Sequence, residues 1–303
     1  MRLYQLIKTL DARNGNGVKY TYDVGGNIVR VEKINSGKII ETLAEYSYDD
    51  SNWKDLLTEY NGNEIIYDEI GNPLTYYNGM EFTWTMGRML KSAVRSDGIK
   101  ISYTYNADGL RTSKTINNVK FNYFWNDDKL SAQTFAGNTM YFRYDDDTPI
   151  GFEYNGNQYY YITNIQGDII AILNGSGECV AEYTYDAWGN CTVAKDTEYI
   201  AHLNPLRYRG YYYDSDTGLY YLHSRYYDAN IGRFINADAP EMIVNDVLNL
   251  YSYCKNDPIN NSDENGSWCY NIKYCAFNDQ IKGKMMNRYN TVSYTHLTLP
   301  TKA

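Results

Sequence analysis

One aromatic position returns along most of the chain, and the spacing of its returns constrains the fold more than any other feature. It first reads Tyr20-Thr21-Tyr22-Asp23, followed by Gly26-Asn27-Ile28. It comes back as Tyr46-Ser47-Tyr48-Asp49, as Tyr67-Asp68 with Gly71-Asn72, and as Tyr103-Thr104-Tyr105-Asn106 with Gly109. Further copies are Tyr144-Asp145 and Tyr183-Thr184-Tyr185-Asp186 with Gly189-Asn190, and degenerate ones at Trp84, Trp125 and Tyr161 fill the gaps. The anchors thus stand at 22, 48, 67, 84, 105, 125, 144, 161 and 185, in steps of 17 to 26 residues. Such a short period marks one supersecondary unit used many times, each copy burying its face on the next.

Two helices do not fit in that length, whereas two strands and two turns do. Rings alternating with a small polar residue in Tyr20-Thr21-Tyr22 give strand periodicity. Asp23 and then Gly26 supply turn chemistry, since an Asx side chain bonds local backbone and glycine takes positive φ freely. Ile28-Val29-Arg30-Val31 is β-branched and reads as the returning strand. Asn61-Gly62, Asn78-Gly79, Asp97-Gly98 and Asn155-Gly156 read as tight hairpin turns. No helical stripe appears before 236, and the one fair candidate is 241–250, just after Pro240. The expected fold is all-β, a spiral of repeated β-hairpins.

The chain has 303 residues, enough for a large core or an extended array. Its 35 tyrosines offer apolar rings with polar tips, suited to a thin sheet wall wet on at least one side. The formal charge of −9 weighs against nucleic-acid binding by the repeats. No stretch is apolar enough to span a membrane as a helix. The five cysteines, Cys179, Cys191, Cys254, Cys269 and Cys275, are too sparse for a disulfide framework and read as incidental or buried thiols. Cys269 and Cys275 could pair or bind a metal, but no histidine pattern supports a zinc site. No cofactor or metal is expected.

From about 205 the pattern tightens. It runs Pro205-Leu206-Arg207-Tyr208-Arg209-Gly210-Tyr211-Tyr212-Tyr213-Asp214, then Thr217-Gly218-Leu219-Tyr220-Tyr221-Leu222 and Ser224-Arg225-Tyr226-Tyr227-Asp228. Gly232-Arg233-Phe234-Ile235-Asn236-Ala237-Asp238 and, near the end, Asp263-Glu264-Asn265-Gly266 complete it. With these motifs the chain closely resembles the RHS/YD-repeat family over roughly residues 15 to 266, and the later stretch resembles its RHS repeat-associated core. That family includes bacterial polymorphic toxins, insecticidal toxin-complex C components, wall-associated proteins and, more distantly, teneurins. The resemblance implies a hollow YD-repeat shell, in which the core plugs one end and cuts free a variable C-terminal effector. It divides the chain into a repeat array over 1–204, incomplete at its N terminus, a core over 205–266 and a truncated variable tail over 267–303. The last residues of that tail match nothing in the family and resemble a translated artefact. The parent protein is expected to be secreted or at the surface of a bacterium, with its own C-terminal effector as partner.

The family's cleavage scheme resembles an aspartyl protease, two close carboxylates sharing one proton, with an arginine beside them. Motif by motif, the resemblance assigns these roles to Arg225, Asp238 and Asp263, with the cut just after Gly266 or Ser267. Glu264 stands where the family has proline, and Ser267 where it has an apolar residue. On residue chemistry alone the three charges read as turn and stacking residues, and it is the resemblance that brings catalysis level with that reading. Asp214 and Asp228 are assigned to turns, and His202 and His223 to structural roles. The alternative function is a non-enzymatic surface module whose tyrosine-rich face binds carbohydrate or protein. A propeller or kelch-like array is a weaker alternative, since its blades need longer, more even spacing.

Overall fold

Each repeat is a hairpin whose outgoing strand ends on the anchor ring and whose partner on the returning strand lies five or six residues on. Tyr22 pairs Ile28, Tyr67 pairs Pro73, Trp84 pairs Leu90, Tyr105 pairs Arg111, Trp125 pairs Leu130 and Tyr185 pairs Cys191. The loop between them is built by the Asx-to-Gly spacing. Asp23 accepts the Asn27 N–H at 2.8 Å, Asp68 the Asn72 N–H at 2.8 Å and Asp186 the Asn190 N–H at 2.9 Å, with Gly26, Gly71 and Gly189 at positive φ. At the opposite ends, Asn61-Gly62 and Asn155-Gly156 hold two successive positive φ values, the mirror-image turn that matches strand twist.

The computed structural model describes residues 5–238, 249–267 and 269–271. Their strands form a six-stranded sheet, Lys8–Leu10 through Asn63–Glu64, and a fourteen-stranded sheet, Ile66–Tyr67 through Cys191–Asp196. Every neighbour in both sheets is the next strand in sequence and antiparallel. Burial alternates along the wall strands, as in Lys100–Tyr105, where Ile101 and Tyr103 are buried and Ser102 and Thr104 exposed.

The anchors share one hydrogen bond. Trp84 donates to the Pro73 carbonyl, Tyr105 to Leu90, Trp125 to Arg111 and Tyr144 to Leu130. Tyr48 donates to Ile28 and Tyr185 to Ile169 in the same way. In these cases the acceptor is the residue opposite the end of the preceding outgoing strand, so these repeats are stitched to the one before. Tyr161 departs from this scheme: its hydroxyl donates to Asn204, and the pairing position is Thr163, opposite Ile169. The ring spacing alone therefore selects the wrong residue at 161, because Tyr161 belongs to the inward-facing positions of its strand.

The described residues from Pro205 onward pack against the inner face of this wall. Its strands Tyr212–Asp214, Leu219–Leu222, Arg225–Asp228 and Arg233–Phe234 make a separate four-stranded sheet. The wall meets it from many places: Tyr46 donates to the Ile231 carbonyl, Tyr76 to Asp228 and Tyr212 to Gln133, while Tyr227 donates to the Trp188 carbonyl. Tyr20 and Trp188 stand 5.8 Å apart, so the first hairpins return beside the last. The only α-helix among the described residues, Ile200–Leu203, is one turn long, too short to leave a periodic signal. The helix expected at 241–250 lies outside the described residues except for Asn249 and Leu250. No described helix is long and apolar enough to cross a membrane.

Candidate functional site

The inner sheet brings Arg225, Asp238 and Asp263 together. Leu222 pairs Arg225 across a two-residue turn, His223-Ser224, with His223 at positive φ, and this starts the Arg225 strand. Asp238 follows the Arg233–Phe234 strand, and its N–H donates to the Leu250 carbonyl at 3.0 Å. Arg88 reaches in from the wall and donates to the Ala237 carbonyl at 2.9 Å, which fixes the approach to Asp238. Asp263 ends the short Asn261–Ser262 strand, and its N–H donates to the Tyr211 hydroxyl at 3.0 Å.

All three charges are buried. The Arg225 guanidinium lies 3.0 Å from the Asp238 carboxylate and 3.5 Å from that of Asp263. It stacks 3.5 Å from the Phe234 ring centre and donates to the Leu250 carbonyl at 2.9 Å. One buried cation cannot balance two carboxylates. Burial, opposed by Arg225 and reinforced by Asp238, pushes the Asp263 carboxyl up to about 6. Burial also pushes the Arg225 guanidinium down, against the pull of both carboxylates.

The Asp263–Ser267 turn is held against this group. Arg225 Nε donates to the Gly266 carbonyl. The Ser267 N–H donates to Asp263 Oδ1 at 3.1 Å, and Ser224 Oγ donates to the Asn265 carbonyl at 2.7 Å. Gly266 has φ +73°, and a Cβ there would come within 2.5 Å of the Leu222 carbonyl oxygen, so only glycine fits. A cavity of about 380 Å³ opens beside the group, lined by Arg88, Tyr105, Ser224, Arg225, Asp238 and Ser267. Glu264 is exposed, and Ser267 Oγ lies 3.0 Å from Ser224 Oγ. Tyr211, Arg88 and Ser224 support the site without a motif that marks them, since each sits in a repeat or a turn by its local pattern.

Asp214 is more than the turn residue expected. It accepts the Gly218 N–H at 2.8 Å, yet its carboxylate also pairs with Arg111 and, at 2.9 Å, with Lys114, all three buried. The two cations hold it below the usual carboxylate range against burial, which pushes it up. The rings of Tyr123, Tyr212 and Tyr221 lie within 5 Å of the Arg111 guanidinium. Asp228 caps its turn through the Asn230 N–H and accepts the Tyr76 and Tyr77 hydroxyls besides. Burial pushes the His223 imidazole down, and its ring packs on Trp125 at 5.3 Å, a structural setting. His202 pairs with Asp196 at 2.6 Å. Among the described residues no cluster of three His, Cys, Asp or Glu suits a metal ion. Among the described residues, most tyrosines of the inner segment and many of the wall direct their hydroxyls at internal partners, while Tyr141, Tyr160, Tyr199 and Tyr270 are exposed.

The family profile described as Teneurin YD-shell matches residues 1–259. The tRNA3(Ser)-specific nuclease WapA of Bacillus spizizenii is 34% identical over 285 residues, covering 91% of this chain and 12% of that protein. The tRNA nuclease WapA of Bacillus subtilis is 35% identical, with the same coverage. Among solved structures, the Photorhabdus luminescens Tc holotoxin pore superposes with a TM-score of 0.65 at 21% identity, over 84% of this chain and 13% of that one. The TcdB2-TccC3 crystal structure without its hypervariable C-terminal region gives 0.63 at 20% identity, over 88% and 14%.

Proposed function

The chain belongs to the YD-shell family of RHS-repeat proteins, related to the WapA nucleases, and from that premise we propose that it is the wall and self-cleaving core of a shell that releases a downstream effector. The observation that carries the reading is the environment of one peptide bond. The Gly266 carbonyl accepts from Arg225, and the N–H on the other side of that bond donates to Asp263 at 3.1 Å. Both sides of the Gly266–Ser267 bond therefore meet a group of the right kind. Of the two cuts the motif allows, this favours the one directly after Gly266.

The chemistry follows from the charges. Asp238 borders the cavity and takes a proton from a water there, which attacks the Gly266 carbonyl carbon. Charge developing on the Gly266 oxygen is held by the Arg225 guanidinium. Asp263, protonated below about 6, gives its proton to the Ser267 nitrogen as the bond breaks. The new Gly266 carboxylate stays beside Arg225, so each molecule cuts once. The family boundaries, a repeat array to 204, a core to 266 and a variable segment beyond, fit this scheme. The names of the relatives, nucleases acting on tRNA in Bacillus, point to an effector enzyme as the class of cargo, and release of such a cargo fits a parent protein that is secreted or at the surface of a bacterium.

Purification of the 303-residue chain from a protease-deficient host, with intact mass and N-terminal sequencing, tests the reading. A fragment starting at Ser267 is expected, and Asp238→Asn and Asp263→Asn should each abolish it, because one carboxylate cannot act as both base and acid. Arg225→Ala should slow it severely. A cut that survives both aspartate substitutions would sink the assignment. A folded chain that stays whole would leave the three residues structural.

A further inference from the structure

Two of the cysteines lie on opposite sides of the Gly266–Ser267 bond and meet in space. Cys254 sits in the short turn Cys254–Asn256 at positive φ, 2% exposed, within the main core. Cys269 precedes the Tyr270–Asn271 strand, and the pairing of Tyr270 with Ser262 places it opposite Asp263. The Tyr270 side chain is 54% exposed, so the preceding residue turns inward, and Cys269 packs on the same core. The two thiols are neighbours in that core, and both are free. The other two described cysteines have different company: Cys179 donates to Glu182, and Arg207 donates to Cys191 at 3.9 Å.

We infer that Cys254 and Cys269 form a disulfide that ties the segment beyond the cut to the core, making release of the effector depend on a reductant as well as on cleavage. The tether rests on the self-cleavage reading for its purpose, but the disulfide does not. The oxidant is a small disulfide such as oxidised glutathione. The half-exposed Cys269 thiolate attacks one of its sulfurs and expels a first thiolate, which takes up the proton that Cys269 lost. Cys254 then attacks the Cys269 sulfur of the mixed disulfide, expelling the second thiolate, which takes the proton from Cys254. Two protein thiols are oxidised and one small disulfide is reduced to two thiols. Burial and the neighbouring Cys269 push the Cys254 thiol up, and its burial shields it from a solvent oxidant, so the first attack falls to Cys269 and Cys254 reacts only with the sulfur already beside it.

Trypsin separates the two cysteines at Lys255, yielding the peptides 234–255 and 256–273, with Cys275 falling beyond Lys273. The folded chain carrying Asp238→Asn, which is designed not to cut, is incubated with oxidised glutathione, alkylated and digested. The expected result is a linked 234–255/256–273 peptide in about tenfold excess over its alkylated parts. Recovery of both peptides alkylated, or of Cys254 paired elsewhere, would overturn the disulfide. In the unsubstituted chain, the 267–303 fragment should stay attached under denaturing, non-reducing conditions and leave on adding dithiothreitol. Cys269→Ser should free it without reductant. A cut fragment that leaves the oxidised, unsubstituted chain in denaturant would overturn the tether even if a linked peptide forms. A linked peptide in a chain that never cuts would uphold the disulfide and count against cleavage alone.

Discussion

The wall and the inner sheet are written in the same tyrosine-and-aspartate vocabulary but use it in opposite ways. Wall strands alternate buried and exposed positions, and their aspartates, such as Asp23 and Asp68, close turns. The strands Leu219–Leu222 and Arg225–Asp228 are buried at every position, and the inner sheet's aspartates meet wall side chains across the interior, Asp214 facing Arg111 and Asp228 facing Tyr76. Wall stitches span 11 to 20 residues of sequence, whereas the inner segment reaches Arg111 from Asp214, 103 residues away, and Tyr48 from Arg233, 185 away. Local bonds make the wall a sum of near-independent units, while long-range buried charges make the inner sheet a single all-or-none piece.

The largest expected contrast comes from cutting the longest connection. Asp214→Ala leaves Arg111 buried without its carboxylate and Lys114 with Asp216 alone, and should cost about 3–5 kcal/mol, read as a lower denaturant midpoint. A loss under about 1 kcal/mol would mean that the inner sheet is no more cooperative than the wall. Next comes pH. Only the protonated form of Asp263 serves as acid, so self-cleavage should fall about tenfold per pH unit above about 6. Stability carries the same sign: a carboxyl raised in the folded state binds more protons there than when unfolded, so its contribution declines as pH rises from about 4 to about 6. Asp263→Asn should remove that slope. Asp214, held low, acts in reverse, and its contribution fades only as pH falls below the usual carboxylate range.

Smaller effects belong to the wall. Tyr144→Phe removes one stitch to Leu130 and should cost about 1 kcal/mol. Combined with Tyr185→Phe, which removes the stitch to Ile169 farther along the wall, the two losses should add within about 0.5 kcal/mol. Strong coupling between them would break the picture of independent units. Smallest of all, Arg143→Ala removes a half-exposed pair with Glu153 and should change stability by about 0.5 kcal/mol or less.

What the sequence reveals divides along the same line. The hairpin unit, its Asx–Gly loops and its anchors are local, so residues such as Asp186 and Gly189 announce them. The Arg225–Asp238–Asp263 group is legible only because a long motif resembles a known family. Local chemistry gives no reason to prefer Asp238 over Asp228. Ring spacing misleads at Tyr161, since an aromatic on an inward position looks the same as an anchor. Asp214 looks like a turn residue because its distant partners leave no trace near it. The Cys254–Cys269 contact hides for a related reason: a turn and a short strand bring them together, and no spacing rule describes that.

The meeting of Tyr20 and Trp188 has a mechanical consequence. Within each of the two sheets, neighbouring strands are laced by rows of backbone hydrogen bonds, which must rupture together under shear, and where one sheet ends at Asn63–Glu64 and the next begins at Ile66–Tyr67 the chain itself runs across. No backbone ladder joins the two described sheets across that line, where ring faces and aliphatic side chains such as Ile28 and Ile231 meet. Under outward pressure from a packed interior, or under pulling force, the wall should part first along this seam, leaving the sheets on either side intact.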